Sequence, residues 1–185
     1  MESKRIAVLV GSLRKASFTR KVTRVLIALA PESLTLEILE LGELQIYNQD
    51  LEEIPPVTWT AFRRRLKSFD GFLFVTPEYN RSVPALLKNA LDIGSRPYGK
   101  NCWEGKPGAV VSVSPGQLGG FGANHHLRQS LMAVNVLAMA QPEAYLAGVA
   151  KLFDDSGNLA DESTRKFLRK FMEAFAAWVA KHGAQ

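Results

Sequence analysis

Cysteine is almost missing from the 185 residues: Cys102 stands alone, so no intrachain disulfide can form and stability must come from packing. With no resolving partner in the chain, Cys102 reads as a bystander. Histidine is scarce too. His125, His126 and His182 show no metal-ligand spacing, and an adjacent pair on a helix points about 100° apart, so no zinc site can be built on them. Nor do they sit where a nucleophile and its base could be paired, which removes a hydrolase triad from consideration. Long apolar runs are absent: none reaches the ~18 residues of a membrane span. The opening MESKRIAVLV passes from charge straight into a short apolar stretch, without a signal peptide's long apolar region. A cytoplasmic protein with no membrane partner is expected.

What is present fits one compact domain over residues 1–185, since 46% of the residues are hydrophobic and 22% charged. The net charge of +5 favours anionic ligands, phosphates above all. The run Arg63, Arg64, Arg65 and Lys67 has the charge for nucleic acid but reads as a solvated helix face, and no nucleic-acid partner is expected.

Short apolar runs alternate with segments of helical periodicity. Ile6–Val10 reads as a strand buried on both faces, followed by a helix through Phe18, Val22, Val25, Leu26 and Leu29. Leu34–Leu41 alternates as a strand nearer a sheet edge. Phe62, Leu66 and Phe69 mark a helix, and Phe72–Val75 a buried strand. Ser82 is the expected N-cap of a helix carrying Leu86, Leu87, Ala90 and Leu91, with Pro84 in its first turn. Ala109–Val113 is the next strand, a helix surrounds Leu127, Leu131 and Val134, and a fifth strand is expected over Leu137–Gln141. The stripe Phe167, Leu168, Phe171, Met172, Phe175, Trp178 and Val179 marks a C-terminal helix closing the core. This alternation predicts an α/β fold, a doubly wound parallel sheet of five strands in the order 2-1-3-4-5.

Such sheets bind ligands beyond the carboxyl ends of their strands, where the strand order switches. Three loops meet there: GSLRKAS after strand one, PEYNRS after strand three and SPGQLGG after strand four. The first opens a helix whose free N–H groups favour an anion, and Ser12, Ser17, Thr19 and Arg14 add donors suited to one phosphate. A serine-capped helix beside a solvated arginine is the competing reading. The loop lacks the second glycine and Lys-Ser/Thr pair of a P-loop, and it is not a GxGxxG turn. Glu40 stands roughly where a dinucleotide fold keeps its ribose-binding acid, though a solvated strand-end residue explains it as well. In the second loop Tyr79 offers a face for a planar ring, Asn80 and backbone amides offer polar partners, and Pro77 and Pro84 stiffen the chain. Gly116, Gly119, Gly120 and Gly122 in the third loop would let backbone approach a flat ligand.

GSLRKASFTR and PEYNRSVPALLKNALDIGSRP together resemble the NADPH-dependent FMN reductases of the flavodoxin-like group, which includes bacterial quinone and chromate reductases. The likeness covers nearly the whole chain and is most specific in the second segment. Thr19 departs from the Asn that relatives often carry in the phosphate loop. The resemblance implies that Ser12, Arg14, Ser17, Phe18 and Thr19 surround the FMN phosphate. Pro77, Glu78, Tyr79 and Asn80 would contact the isoalloxazine ring, with Ser114, Gly116, Gly119 and Gly120 closing the other side. Arg81 and Ser82 are weaker candidates, for a subunit contact or the nicotinamide. The chemistry would belong to FMN rather than to a catalytic side chain. NADPH or NADH would supply hydride, by a ping-pong cycle, to small-molecule acceptors: quinones, free flavin, nitro or azo compounds, or chromate. Family members are commonly homodimers or homotetramers. Two other readings stay open at this point, a flavodoxin-type electron carrier and a nonenzymatic nucleotide-binding module.

Overall fold

A computed structural model describes residues 3–183. Six parallel strands are β1 (Lys4–Val10), β2 (Leu34–Leu39), β3 (Gly71–Thr76), β4 (Pro107–Val113), β5 (Leu137–Ala138) and β6 (Ala144–Leu146). Five helices connect and follow them: α1 (Phe18–Ala28), α2 (Val57–Lys67), α3 (Ala85–Gly94), α4 (Phe121–Ala133) and α5 (Glu162–His182). The strand order is β2-β1-β3-β4-β5, with β6 pairing β4 as well, so the predicted order and doubly wound class hold.

The unbroken apolar runs have a simple cause. Successive side chains in a strand point to opposite faces, and here both faces are covered. Ile6, Val8, Val10, Leu73, Val75, Val111 and Val113 join Val22 and Leu26 of α1 and the predicted α5 stripe, including Phe171 and Phe175, on one face. Ala7, Leu9, Phe72, Phe74 and Val110 meet α2, α3 and α4 on the other, around Trp103. The Trp103 ring stands edge-on to Phe72, with centroids 4.7 Å apart, and its Nε1 donates to the Leu91 carbonyl at 3.1 Å. Full burial of each such side chain is worth about 1.5–3 kcal/mol. Cys102 is buried against this core, which pushes its thiol above the usual range and fits an inert residue.

Two local expectations are corrected. The fifth strand does not run over Leu137–Gln141: it breaks into β5 and β6, which flank the start and the end of β4. Pro142 has no N–H to give a ladder, and the Met139 carbonyl is taken by Arg128 Nη1 at 2.8 Å. Ser82 is not the cap of α3 either. Pro84 occupies that position, its ring fixing the extended entry, and the Ser82 hydroxyl instead meets His126 Nδ1 at 3.0 Å.

Candidate functional site

The carboxyl ends of β1, β3 and β4 stand side by side, and the loops that leave them enclose a cleft of about 230 Å³. Ser12, Arg14, Ser17, Phe18 and Thr19 line it from the first loop, Pro77, Glu78 and Tyr79 from the second, and Ser114 from the third. Those residues were all expected from the sequence. Val113 and Pro115 also line the cleft and were passed over, although both lie beside Ser114 at the very end of a strand. Asn80, Gly116, Gly119 and Gly120 are not among the lining residues.

At the α1 end the donors are arranged around a void. Ser17 caps α1: its Oγ accepts from Arg20 N at 3.2 Å and from Thr19 Oγ1 at 3.0 Å, so its own proton is free to donate. Ser12 Oγ accepts from Arg14 N at 3.4 Å and likewise keeps its proton. The amides of Phe18 and Thr19, in the first turn, have no intrahelical partner by the geometry of a helix start. The Arg14 guanidinium has no hydrogen bond or ion pair among the described residues. Free N–H groups, free hydroxyl protons and an uncommitted guanidinium make a donor set for one dianionic phosphate. Gly11 lets the first two loops meet, because a Cβ there would come within 2.7 Å of Pro77 Cδ and 2.9 Å of Leu87 Cδ1.

At the far end the polar residues are spent internally. The Glu78 carboxylate accepts from Ala123 N at 3.1 Å, in the first turn of α4, and pairs with Arg81 Nη1 at 3.2 Å. Tyr79 and Ser82 exchange backbone hydrogen bonds of 3.2 and 3.0 Å around a two-residue turn. Asn80 and Arg81 have φ of 50° and 63°, the left-handed pair of a type I′ turn, where Asn is favoured. That conformation accounts for Asn80 without a ligand. Gly119 and Gly120 are required by packing, since a Cβ on them would meet the Tyr145 backbone at 2.8 Å and Ser112 Cβ at 3.0 Å. Gly122 sits against the Arg81 carbonyl, 2.6 Å from where its Cβ would be. Of these four third-loop glycines, Gly116 alone has no close backbone neighbour. The Tyr79 ring, 48% exposed, forms the rim.

Other sequence candidates fall away from the cleft. Glu40 is held by Arg20 through bonds of 3.0 and 2.6 Å, and that bonding keeps its carboxyl below the usual range. This pair ties the end of β2 to α1 and answers the alternative of a ribose-binding acid. His125 is exposed and bonds the Tyr145 hydroxyl at 2.9 Å; Tyr145 is pushed up to about 12, first by burial and then by Glu143. Arg64, Arg65 and Lys67 are exposed, while Arg63 Nε donates to the Ile93 carbonyl at 2.9 Å. Among the described residues, no His, Cys, Asp and Glu cluster could hold a metal ion, and no helix is long and apolar enough to cross a membrane.

The profile of the NADPH-dependent FMN reductases matches residues 4–151. A quinone reductase of Pseudomonas putida is 61% identical over 175 residues, covering 94% of each protein. A 2-hydroxy-1,4-benzoquinone reductase of Burkholderia is 43% identical, covering 95% of this chain and 96% of that one. Among solved structures, the flavoenzyme NAD(P)H:(acceptor) oxidoreductase FerB from Paracoccus denitrificans superimposes with a TM-score of 0.92 at 43% identity. The match covers 98% of this chain and all 100% of FerB.

Proposed function

Because the chain belongs to the NADPH-dependent FMN reductase family, we propose that it is an NAD(P)H:quinone oxidoreductase holding FMN in the three-loop cleft. The family's enzymes use FMN and NAD(P)H, which sets the carrier and the nonenzymatic module aside. The observation that carries the placement is the Arg14 guanidinium, uncommitted beside the free donors of the α1 start. Ser12, Ser17 and the Phe18 and Thr19 amides would hold the phosphate with it. Pro77, Tyr79 and Pro115 would bound the ring, with the Glu78 and Asn80 backbone beside it and Ser114 and Gly116 opposite. Residues 1–185 would act as one such unit.

Bound FMN would supply the two-electron relay between reduced nicotinamide and acceptor, so the side chains need only bind, orient and exclude water. At about 230 Å³ the cleft is smaller than usual ligand pockets, and a flavin would protrude from it. A protruding ring suits substrates that stack in turn on one face, a ping-pong cycle, and fits breadth among acceptors: quinones first, then free flavin, nitro and azo compounds or chromate. It also leaves a side to be completed by a second subunit, and exposed Leu118 and Phe121 in and beside the third loop offer the apolar surface. A homodimer or homotetramer with two-fold symmetry, working in the cytoplasm, follows from this reading.

The test is an anaerobic stopped-flow experiment on flavin-loaded protein, followed by initial rates at several quinone concentrations. NADPH alone should bleach the flavin, and the rate plots should be parallel. Bleaching only when quinone is also present, with intersecting plots, would replace the alternating cycle by a ternary complex. Absence of any flavin binding would remove the assignment itself.

A further inference from the structure

A second cavity, about 350 Å³, lies between α1 and the loop that leads into α5. It is independent of the flavin assignment. Its floor is apolar, made by Val25, Ala28 and Leu29 of α1 with Leu159 of the loop. Its lining includes three cations, Lys21, Arg24 and Arg165, and no carboxylate. Lys21 and Arg24 stand three residues apart on α1, the spacing at which like charges face each other and repel.

Three acids of this region, Asp154, Asp161 and Glu162, are committed elsewhere, and Asp155 is exposed and does not line the cavity. Asp154 accepts from Asn158 N at 2.8 Å, and that bond above all holds its carboxyl below the usual range. Asp161 caps α5 through Thr164 N at 2.6 Å and takes the Ser163 hydroxyl at 2.7 Å. Glu162 pairs with Arg165 at 3.3 Å. Arg24 has no hydrogen bond or ion pair among the described residues. Lys21 rests its ammonium over the Phe18 and Phe153 rings, 5.6 and 5.5 Å from their centroids. Two cations thus face a cavity whose lining residues include no carboxylate.

The loop wall is built before any ligand arrives. Phe153 and Leu159 form an antiparallel bridge, Asp154 N donates to the Asn158 carbonyl at 2.9 Å, and Gly157 N returns to the Asp154 carbonyl at 2.9 Å. Gly157 takes φ of 83°, the left-handed conformation that closes this turn.

We propose that this groove binds a small organic anion with an apolar body, of the class of medium-chain carboxylates. The carboxylate would lie on Lys21 and Arg24, with Arg165 shared between it and Glu162. The chain would cover Val25, Ala28, Leu29 and Leu159. An inorganic anion would leave that apolar floor wet, and a neutral alcohol would leave the two cations facing each other unrelieved.

The experiment is calorimetric titration of FMN-saturated protein, so that the flavin cleft is already filled, with octanoate, 1-octanol and inorganic phosphate as separate probes. Octanoate should bind with a single site, at least about tenfold more tightly than either control. The Lys21→Gln/Arg24→Gln variant should lose about tenfold or more of that affinity, with an unchanged melting temperature and flavin content. Amide signals of Ala28 and Gly157 should shift on titration in an NMR spectrum of the wild type. No octanoate binding, equal binding of octanol or phosphate, or undiminished binding to the double variant would each overturn the assignment.

Discussion

The two ends of the three-loop cleft are made by different means. At the α1 end, side chains and helix amides are left with unused donors: Ser12 and Ser17 keep their protons, and Arg14 keeps its whole guanidinium. At the rim, polar groups are consumed in fixing the backbone: Glu78 on the start of α4, Asn80 and Arg81 in a left-handed turn, Gly119 and Gly120 in packing. A phosphate is held by charge-assisted hydrogen bonds, which need free donors. A flat ring is held by shape, which needs a rigid wall. Removal of the Arg14 guanidinium should therefore change affinity with little effect on folding, whereas substitutions at the second end should act through folding.

The largest effect is expected where the two ends touch. Gly11→Ala would drive a methyl to within 2.7 Å of Pro77 Cδ and 2.9 Å of Leu87 Cδ1. Overpacking of this kind costs about 1–3 kcal/mol. Urea denaturation should show that loss, and FMN affinity should fall with it; full retention of both would separate the loops from the cleft's shape. Glu78→Gln comes next. It removes the charge at the α4 start and should cost about 1 kcal/mol of stability. Lower flavin affinity at unchanged stability would instead make the carboxylate a ring ligand.

Glycine should serve as well as asparagine in the turn, so Asn80→Gly should stay within about 0.5 kcal/mol of the parent and keep its flavin affinity. A selective loss of flavin there would restore Asn80 as a direct contact. The smallest effect belongs to Glu40, whose carboxyl is lowered by its bond to Arg20. A lowered acid stabilises the fold above its unfolded pKa, and that contribution is lost as pH falls through the folded value. Glu40→Gln should therefore be slightly less stable than the parent at pH 7, with the gap closing below pH ~4. A gap that persists in acid would exclude the ion pair as its cause.

The same division explains what could be read in the sequence. Periodicity exposes burial, so the two-sided core and the α5 stripe were legible from runs such as Ile6–Val10 and Phe167–Val179, while the alternation of strands with helices carried the doubly wound order. Donor-rich loops at helix starts are equally visible: the four donors Ser12, Arg14, Ser17 and Thr19 line the cleft, as does Phe18, which the resemblance added. Local exchanges between polar groups leave no periodic mark. Ser82 carries a capping residue's chemistry, yet Pro84 two residues on takes the cap and frees it for His126. Two glycines of the third loop, Gly119 and Gly120, do make close approaches, to Tyr145 and Ser112. Val113 and Pro115 were missed because an apolar residue at a strand end resembles plain core.

The central claim, that Arg14 and the α1 start hold the FMN phosphate, is tested most directly by binding FMN and riboflavin to apoprotein of the parent and of Arg14→Ala. The two ligands differ only in the phosphate. The parent should prefer FMN, and the substitution should shrink that preference about tenfold to a hundredfold, the worth of a charge-assisted hydrogen bond, while riboflavin affinity and stability stay unchanged. An equal preference in both proteins would place the phosphate elsewhere and contradict the assignment.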